Sequence, residues 1–145
     1  MERFYLKKGK TTTGLTKDTG WQVGMRRTLD IRLEDAWHLL TSAEGIAIWL
    51  GDATDMQLQK GSRYKLPDGT SGEIRVLHLY SHLRITWQPP GWVRPSMLQL
   101  RLIGKGSRTV LALHQEHLPD ADARNQRRAF FAQALDAFEK IARKR

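Results

Sequence analysis

Residues 34–51 read EDAWHLLTSAEGIAIWLG, and the period of this stretch decides the fold. Ala36, Trp37 and Leu40 fall on one helical stripe, as do Ile46, Trp49 and Leu50, so each half carries one apolar face. Glu34 and Asp35 suit a helix start, where unpaired backbone N–H groups favour negative charge. Ser42-Ala43-Glu44-Gly45 breaks the pattern and restarts it. The spacing predicts two short helices, each with an apolar side that must cover something.

Outward from that pair the period changes. Upstream, Trp21 to Leu33 alternates loosely, with Val23, Met25, Leu29, Ile31 and Leu33 on one parity, which reads as a first strand weakened by Gly24. Downstream of Gly51 the apolar period falls from about 3.6 residues to two. Met56 with Leu58, Tyr64 with Leu66, Ile74 with Val76, and Leu83 with Ile85 and Trp87 each mark one face of a short strand. Lys60-Gly61, Pro67-Asp68-Gly69 and Tyr80-Ser81-His82 separate them, Asp-Gly being the strongest hairpin signal. Leu98, Leu100 and Leu102 then alternate against Gln99 and Arg101, and a GKGS turn leads into RTVLALHQEHL. This is an antiparallel meander with one wet face.

From Asp120 to Arg145 the helical period returns, with Pro119-Asp120 as its start signal. Phe130, Phe131, Ala134, Leu135, Phe138, Ile141 and Ala142 recur at three- and four-residue steps, and Arg127, Arg128, Asp136, Glu139 and Lys140 are placed on the remaining surface. At about 1.5 Å per residue this helix crosses a whole sheet. A strand, two short helices, five or six antiparallel strands and a long amphipathic helix make an α+β order. A twisted sheet with a single helix to cover it wraps around that helix. The two short helices then plug the end left open, with Trp37 and Trp49 facing inward.

The chain has 145 residues, the length of one domain with a core of its own. Residues 1–20 read as a basic N-terminal arm without sustained period, and 21–145 as a single domain. The chain has no cysteine, which excludes disulfides, thiolate metal sites and cysteine nucleophiles. The N-terminus lacks a signal-peptide h-region and no long apolar run occurs, so a cytoplasmic location without a membrane span is expected. The formal charge is +9, but residues 1–30 and 121–145 each carry seven basic and three acidic side chains, leaving the middle nearly balanced. Basic ends without a recognition motif read as solvated surface, and a nucleic-acid partner is disfavoured.

With this order in place the chain resembles the START-like, or SRPBCC, superfamily and its helix-grip fold, in the branch related to the C-terminal domain of the activator of Hsp90 ATPase. The resemblance rests on LEDAWHLLTSAEGIAIWLG, KGSRYKLPDGTSGEI, LRITWQPP, RTVLALHQEHL and FFAQALDAFEKI, in register over about residues 21–143. Phe130-Phe131 stands where the branch commonly has Gly-Trp. The resemblance implies a cavity between sheet and long helix, used across the superfamily for lipids, sterols, polyketides and other apolar ligands, by carriers, cyclases and co-chaperone modules alike. Fold alone does not choose among these.

Catalytic candidates are few. His114, Glu116 and His117 resemble a metal cluster, but residues three apart on a strand point to opposite faces, so no metal site is expected. His78 and His82 bracket a turn, His38 faces solvent, and Asp52 and Asp55 follow the second helix as capping or solvated groups. No catalytic residue or cofactor is assigned. The aromatic residues Trp49, Tyr64, Trp87 and Phe131 point toward the space between sheet and helix, either as plain core or as the wall of a pocket. Gln115 shares the inward parity of Leu111 and Leu113, and a buried amide needs a partner. The candidate ligand-binding set is therefore Trp49, Tyr64, Trp87, Leu100, Leu113, Gln115, Phe131 and Leu135, around a cavity expected to exceed about 300 Å³. The function read from the sequence is non-enzymatic binding of a small hydrophobic or amphipathic ligand. The alternatives are a module that binds an Hsp90-type chaperone and, further off, a cyclase or hydrolase. Either a monomer or a dimer fits.

Overall fold

The computed structural model describes residues 14–16 and 20–144. Most of the expected basic arm, 1–13 and 17–19, lies outside the described residues. The elements run β1 (Leu15–Thr16), β2 (Gly20–Leu29), α1 (Leu33–Thr41), α2 (Ala43–Trp49), β3 (Arg63–Lys65), β4 (Ser71–His78), β5 (His82–Trp87), β6 (Ser96–Lys105), β7 (Arg108–Leu118) and α3 (Ala121–Arg143). One sheet holds all seven strands in the order β1-β2-β7-β6-β5-β4-β3, each pair antiparallel. This is the α+β order that the change of period predicts, in the helix-grip fold that the resemblance implies.

Alternation sets the two faces of the sheet. Along β6, Ser96, Leu98, Leu100 and Leu102 are buried while Met97, Gln99 and Arg101 are partly exposed. Each strand thus gives its apolar parity to one core and its polar parity to water. β2 stops at Leu29, four residues before the expected end, and the chain bends there. Ile31 stays buried beyond the bend, and its carbonyl accepts a 2.8 Å hydrogen bond from the Thr109 hydroxyl.

The two short helices form as expected, and their junction is tight. The Ser42 hydroxyl accepts from the Gly45 N–H at 3.0 Å and donates to the Leu39 carbonyl at 2.7 Å, starting α2 while closing α1. Gly45 is required there, since a Cβ would stand 1.9 Å from the Leu39 carbonyl oxygen. Trp49 is buried and its indole N–H donates to the Leu40 carbonyl at 2.8 Å, tying α2 back to α1. Trp37 is buried as well, and α2 packs on α3 while α1 packs on β6 and β7.

Asp120 caps α3 by accepting from the Ala123 N–H at 2.8 Å. The helix lies mainly over β2, where Arg27 reaches Asp136 at 2.8 Å and Glu139 at 2.7 Å. These acids are partly exposed, so the pairs steer orientation more than they add stability.

Two readings of the sequence are corrected. Met56 and Leu58 do not form a strand: hydrogen bonds from Met56 N to Ala53 O, Gln59 N to Gln57 O and Ser62 N to Gln59 O coil this segment into turns, and Leu58 is exposed. Arg127 is not on the solvated side of α3. It is buried in the same stripe as Ala123, Phe131, Ala134, Leu135, Phe138 and Ala142. No helix among the described residues is long and apolar enough to cross a membrane.

Candidate functional site

Seven of the eight candidate residues sit in the core at 5% exposure or less: Trp49, Tyr64, Leu100, Leu113, Gln115, Phe131 and Leu135. Their side chains fill the space between sheet and helix, and only Trp87 is half-buried. Open volume lies at the rims of the fold. A cleft of about 740 Å³ is lined by Gly20, Trp92, Arg94, Pro95, His117 and Leu118, among others. A second space of about 380 Å³ flanks α2 along Thr41, Ile46, Met56 and Leu58, and a third of about 320 Å³ reaches Tyr64.

The two polar members of the candidate set are both engaged by the protein. The Tyr64 hydroxyl donates to the Thr86 carbonyl at 2.7 Å. Burial holds that hydroxyl protonated far above the ordinary phenol range, with the Arg127 charge pulling weakly the other way. Gln115 finds the partners that a buried amide demands: its NH₂ donates to the Ser96 hydroxyl at 2.8 Å, and its carbonyl accepts from Arg127 Nε at 2.8 Å. Ser96 in turn donates to the Trp87 carbonyl at 2.7 Å. A relay of four residues thus runs from strand β5 through β6 and β7 to helix α3.

Arg127 ends this relay, and it is unusual. It is 7% exposed, and it makes no ion pair among the described residues. Aromatic rings surround it instead, with the guanidinium carbon 4.0 Å from the Trp87 centroid, 4.5 Å from Phe130 and 5.5 Å from Phe131. Burial pushes its pKa down to about 10, with Tyr64 opposing the shift. The side chain therefore stays a cation at neutral pH. Among the described residues its buried Nη2 has no hydrogen-bond partner, and neither has the buried Trp87 Nε1. Buried donors left unpaired cost about 1–3 kcal/mol each, and of the three among the described residues, Arg84 Nε being the other, two fall in this cluster. Trp92 stands edge-on to Trp87 at 5.5 Å and also lines the large cleft, joining the cluster to open volume.

The histidines carry no such site. His114 shares a 2.9 Å hydrogen bond with the Gln22 side chain, His117 lies 3.9 Å from Glu116, and His78 and His82 stack at 5.2 Å across their hairpin. No group of three or more metal-ligating side chains occurs among the described residues.

A curved antiparallel sheet gripping one long C-terminal helix, with two short helices closing the end, defines a helix-grip protein of the START-like class. Within that class the model for Activator of Hsp90 ATPase homolog 1-like protein matches residues 30–143, and the chain belongs to that family. Solved structures agree on the fold. A protein from Mesorhizobium loti is 21% identical with a TM-score of 0.71, over 85% of this chain and 97% of that one. An HSP90 activator from Plasmodium falciparum is 17% identical with a TM-score of 0.69, over 83% and 94%. CalU16 from Micromonospora echinospora is 21% identical with a TM-score of 0.66, over 78% and 71%. No curated protein matches the chain.

Proposed function

We propose that this chain is a cytoplasmic binding protein for a small amphipathic molecule, held without covalent chemistry at the Trp87–Arg127 end of the sheet–helix interface. The observation that carries this reading is the pair of unpartnered buried donors, Trp87 Nε1 and Arg127 Nη2, in one aromatic cluster beside a cleft of about 740 Å³. Pockets for small molecules combine apolar and aromatic walls with a few fixed polar groups, and this cluster has both. The cationic guanidinium is neither a general base nor a nucleophile at neutral pH, which supports binding over catalysis. Native mass spectrometry of protein purified from its own host, before and after denaturation, tests the reading. A small molecule released on unfolding is the expected result. A ligand-free mass, together with no stabilisation by any member of an amphipathic library, would refute it.

Family membership and the likeness to an HSP90 activator favour a second reading, a module that contacts an Hsp90-type chaperone. Stimulation of that chaperone's ATPase by the purified chain supports it, and no stimulation and no complex at low salt would end it.

A further inference from the structure

We infer that the ligand of this site carries a carboxylate held by Arg127, and that its apolar body lies outward over Trp87 and Trp92 rather than deep between sheet and helix. This inference rests on the small-molecule reading above and adds the charge, the anchor and the direction of the ligand.

Charge comes first. A guanidinium removed from water needs an opposite charge or a full set of acceptors, because desolvation of an ion costs several kcal/mol. Among the described residues Arg127 has one acceptor, the Gln115 carbonyl on Nε, and three aromatic rings lie against its guanidinium. The relay through Gln115, Ser96 and the Trp87 carbonyl fixes the guanidinium in place, so the free Nη2 is a donor held in position. Such donors lose little freedom when a ligand arrives. The second unpartnered donor, Trp87 Nε1, belongs to the ring against which the guanidinium stacks at 4.0 Å. One unpartnered donor on each of two stacked groups favours an acceptor with two oxygens, and a planar carboxylate supplies them. The count of charges selects a carboxylate over a phosphate monoester. One buried cation balances one negative charge, whereas a dianion would leave a second charge uncompensated beside aromatic rings.

Direction follows from packing. The interior between sheet and helix is closed by Phe131, Leu135, Leu113 and Leu100, each at 2% exposure or less. Trp92, which packs on Trp87, lines the cleft that continues to Pro95 and Leu118. An apolar body attached to the carboxylate has room there.

The test uses the full chain and two probes of the same shape, naphthalene-2-carboxylate and its neutral amide, with affinity read by isothermal titration and by tryptophan fluorescence. The carboxylate is expected to bind at least about tenfold more tightly than the amide. That preference should survive added salt, since a buried pair is screened far less than a surface one. In Arg127→Met the preference should vanish, and in Arg127→Lys, which keeps the charge but loses the fork, it should shrink. The wild-type comparison decides by itself should either variant fail to fold. Equal binding of both probes overturns the anionic anchor and leaves the small-molecule reading intact. A preference abolished by salt places the anion on exposed basic side chains and overturns the anchor as well. Binding of neither probe, while a neutral molecule co-purifies, rejects the carboxylate alone. Binding of neither with nothing co-purifying removes both proposals.

Discussion

Replacing Arg127 with methionine should leave the unliganded protein almost as stable as wild type, although the residue is 7% exposed and lies in the middle of the packed stripe of α3. The magnitude follows from its surroundings. Burial lowers the pKa well below the ordinary guanidinium range, to about 10, and at about 1.4 kcal/mol per unit this puts the cost of holding the cation on the order of 3–4 kcal/mol. Against that cost stand one charge-assisted hydrogen bond to Gln115, about 1.5–3 kcal/mol, and the ring contacts, about 1–2 kcal/mol. Methionine keeps the apolar stem and removes both sides of the balance, and losing the unpaired Nη2 offsets the donor that the buried Gln115 carbonyl loses, so a net change within about 1 kcal/mol is expected. One turn further on, Phe131→Ala in the same stripe should cost about 3–5 kcal/mol. Because the folded pKa is depressed below the unfolded one, the penalty is complete below about pH 10 and is relieved only as pH rises from there toward the ordinary guanidinium range. The difference between wild type and Arg127→Met should therefore not change across the neutral range. Urea unfolding of the three proteins, compared at constant slope, measures this. A loss for Arg127→Met as large as that for Phe131→Ala would refute the reasoning, because the guanidinium would then be a net structural anchor.

Ser96→Ala removes the acceptor of the Gln115 amide and the donor to the Trp87 carbonyl. It should cost about 1–3 kcal/mol in urea unfolding and weaken naphthalene-2-carboxylate binding by loosening Arg127; unchanged binding would detach the relay from the site. Gly45→Ala drives a Cβ to 1.9 Å from the Leu39 carbonyl oxygen. It should destabilise by about 1–3 kcal/mol, and a neutral result would show that the α1–α2 junction yields. Desolvation, then Arg101, His78 and Arg84, lower the His82 pKa below 6.5. Its neutral form supports the fold fully above pH 6.5, and that support is lost as pH falls through the folded-state value. The unfolding midpoint should therefore fall more steeply on acidification in wild type than in His82→Gln, and parallel curves would contradict this.

Much of the fold is legible because it follows from the period of apolar residues. The switch from a helical to a two-residue period after Gly51, and back again after Asp120, gives the order of elements, and the Asp68-Gly69 turn fixes the β3–β4 hairpin, with Asp68 accepting from the Thr70 N–H at 2.8 Å. Met56 and Leu58 mislead because two alternate apolar residues also occur in a run of turns. A strand needs a partner, and the β3–β4 hairpin begins only at Arg63. Arg127 was hidden by its residue type, since an arginine between polar neighbours on a helix is normally solvated. Its position held the signal: it lies one turn before Phe131 on the stripe that continues through Leu135 and Phe138. The inward parity of Gln115 asks for a polar partner from the covering helix. Burial of a cation without a counter-ion goes against the general rule, and such local exceptions cluster where proteins bind other molecules.

The strand order has a consequence for the folding pathway. Strands β3 to β7 are neighbours in sequence and close as successive hairpins, whereas β2 joins the sheet only when Leu29 meets Thr109, eighty residues along the chain. Closing a loop of that length costs on the order of 4 kcal/mol of chain entropy before any contact rewards it. β2 is thus the last strand expected to dock, and α3, which lies on it, settles at the same time. The ring-lined guanidinium of Arg127 comes into being only at this final step. Amide hydrogen exchange in β2 and α3 should accordingly report the first sub-global opening, and an occupied site should slow exchange there before it slows exchange in the β4–β6 hairpins.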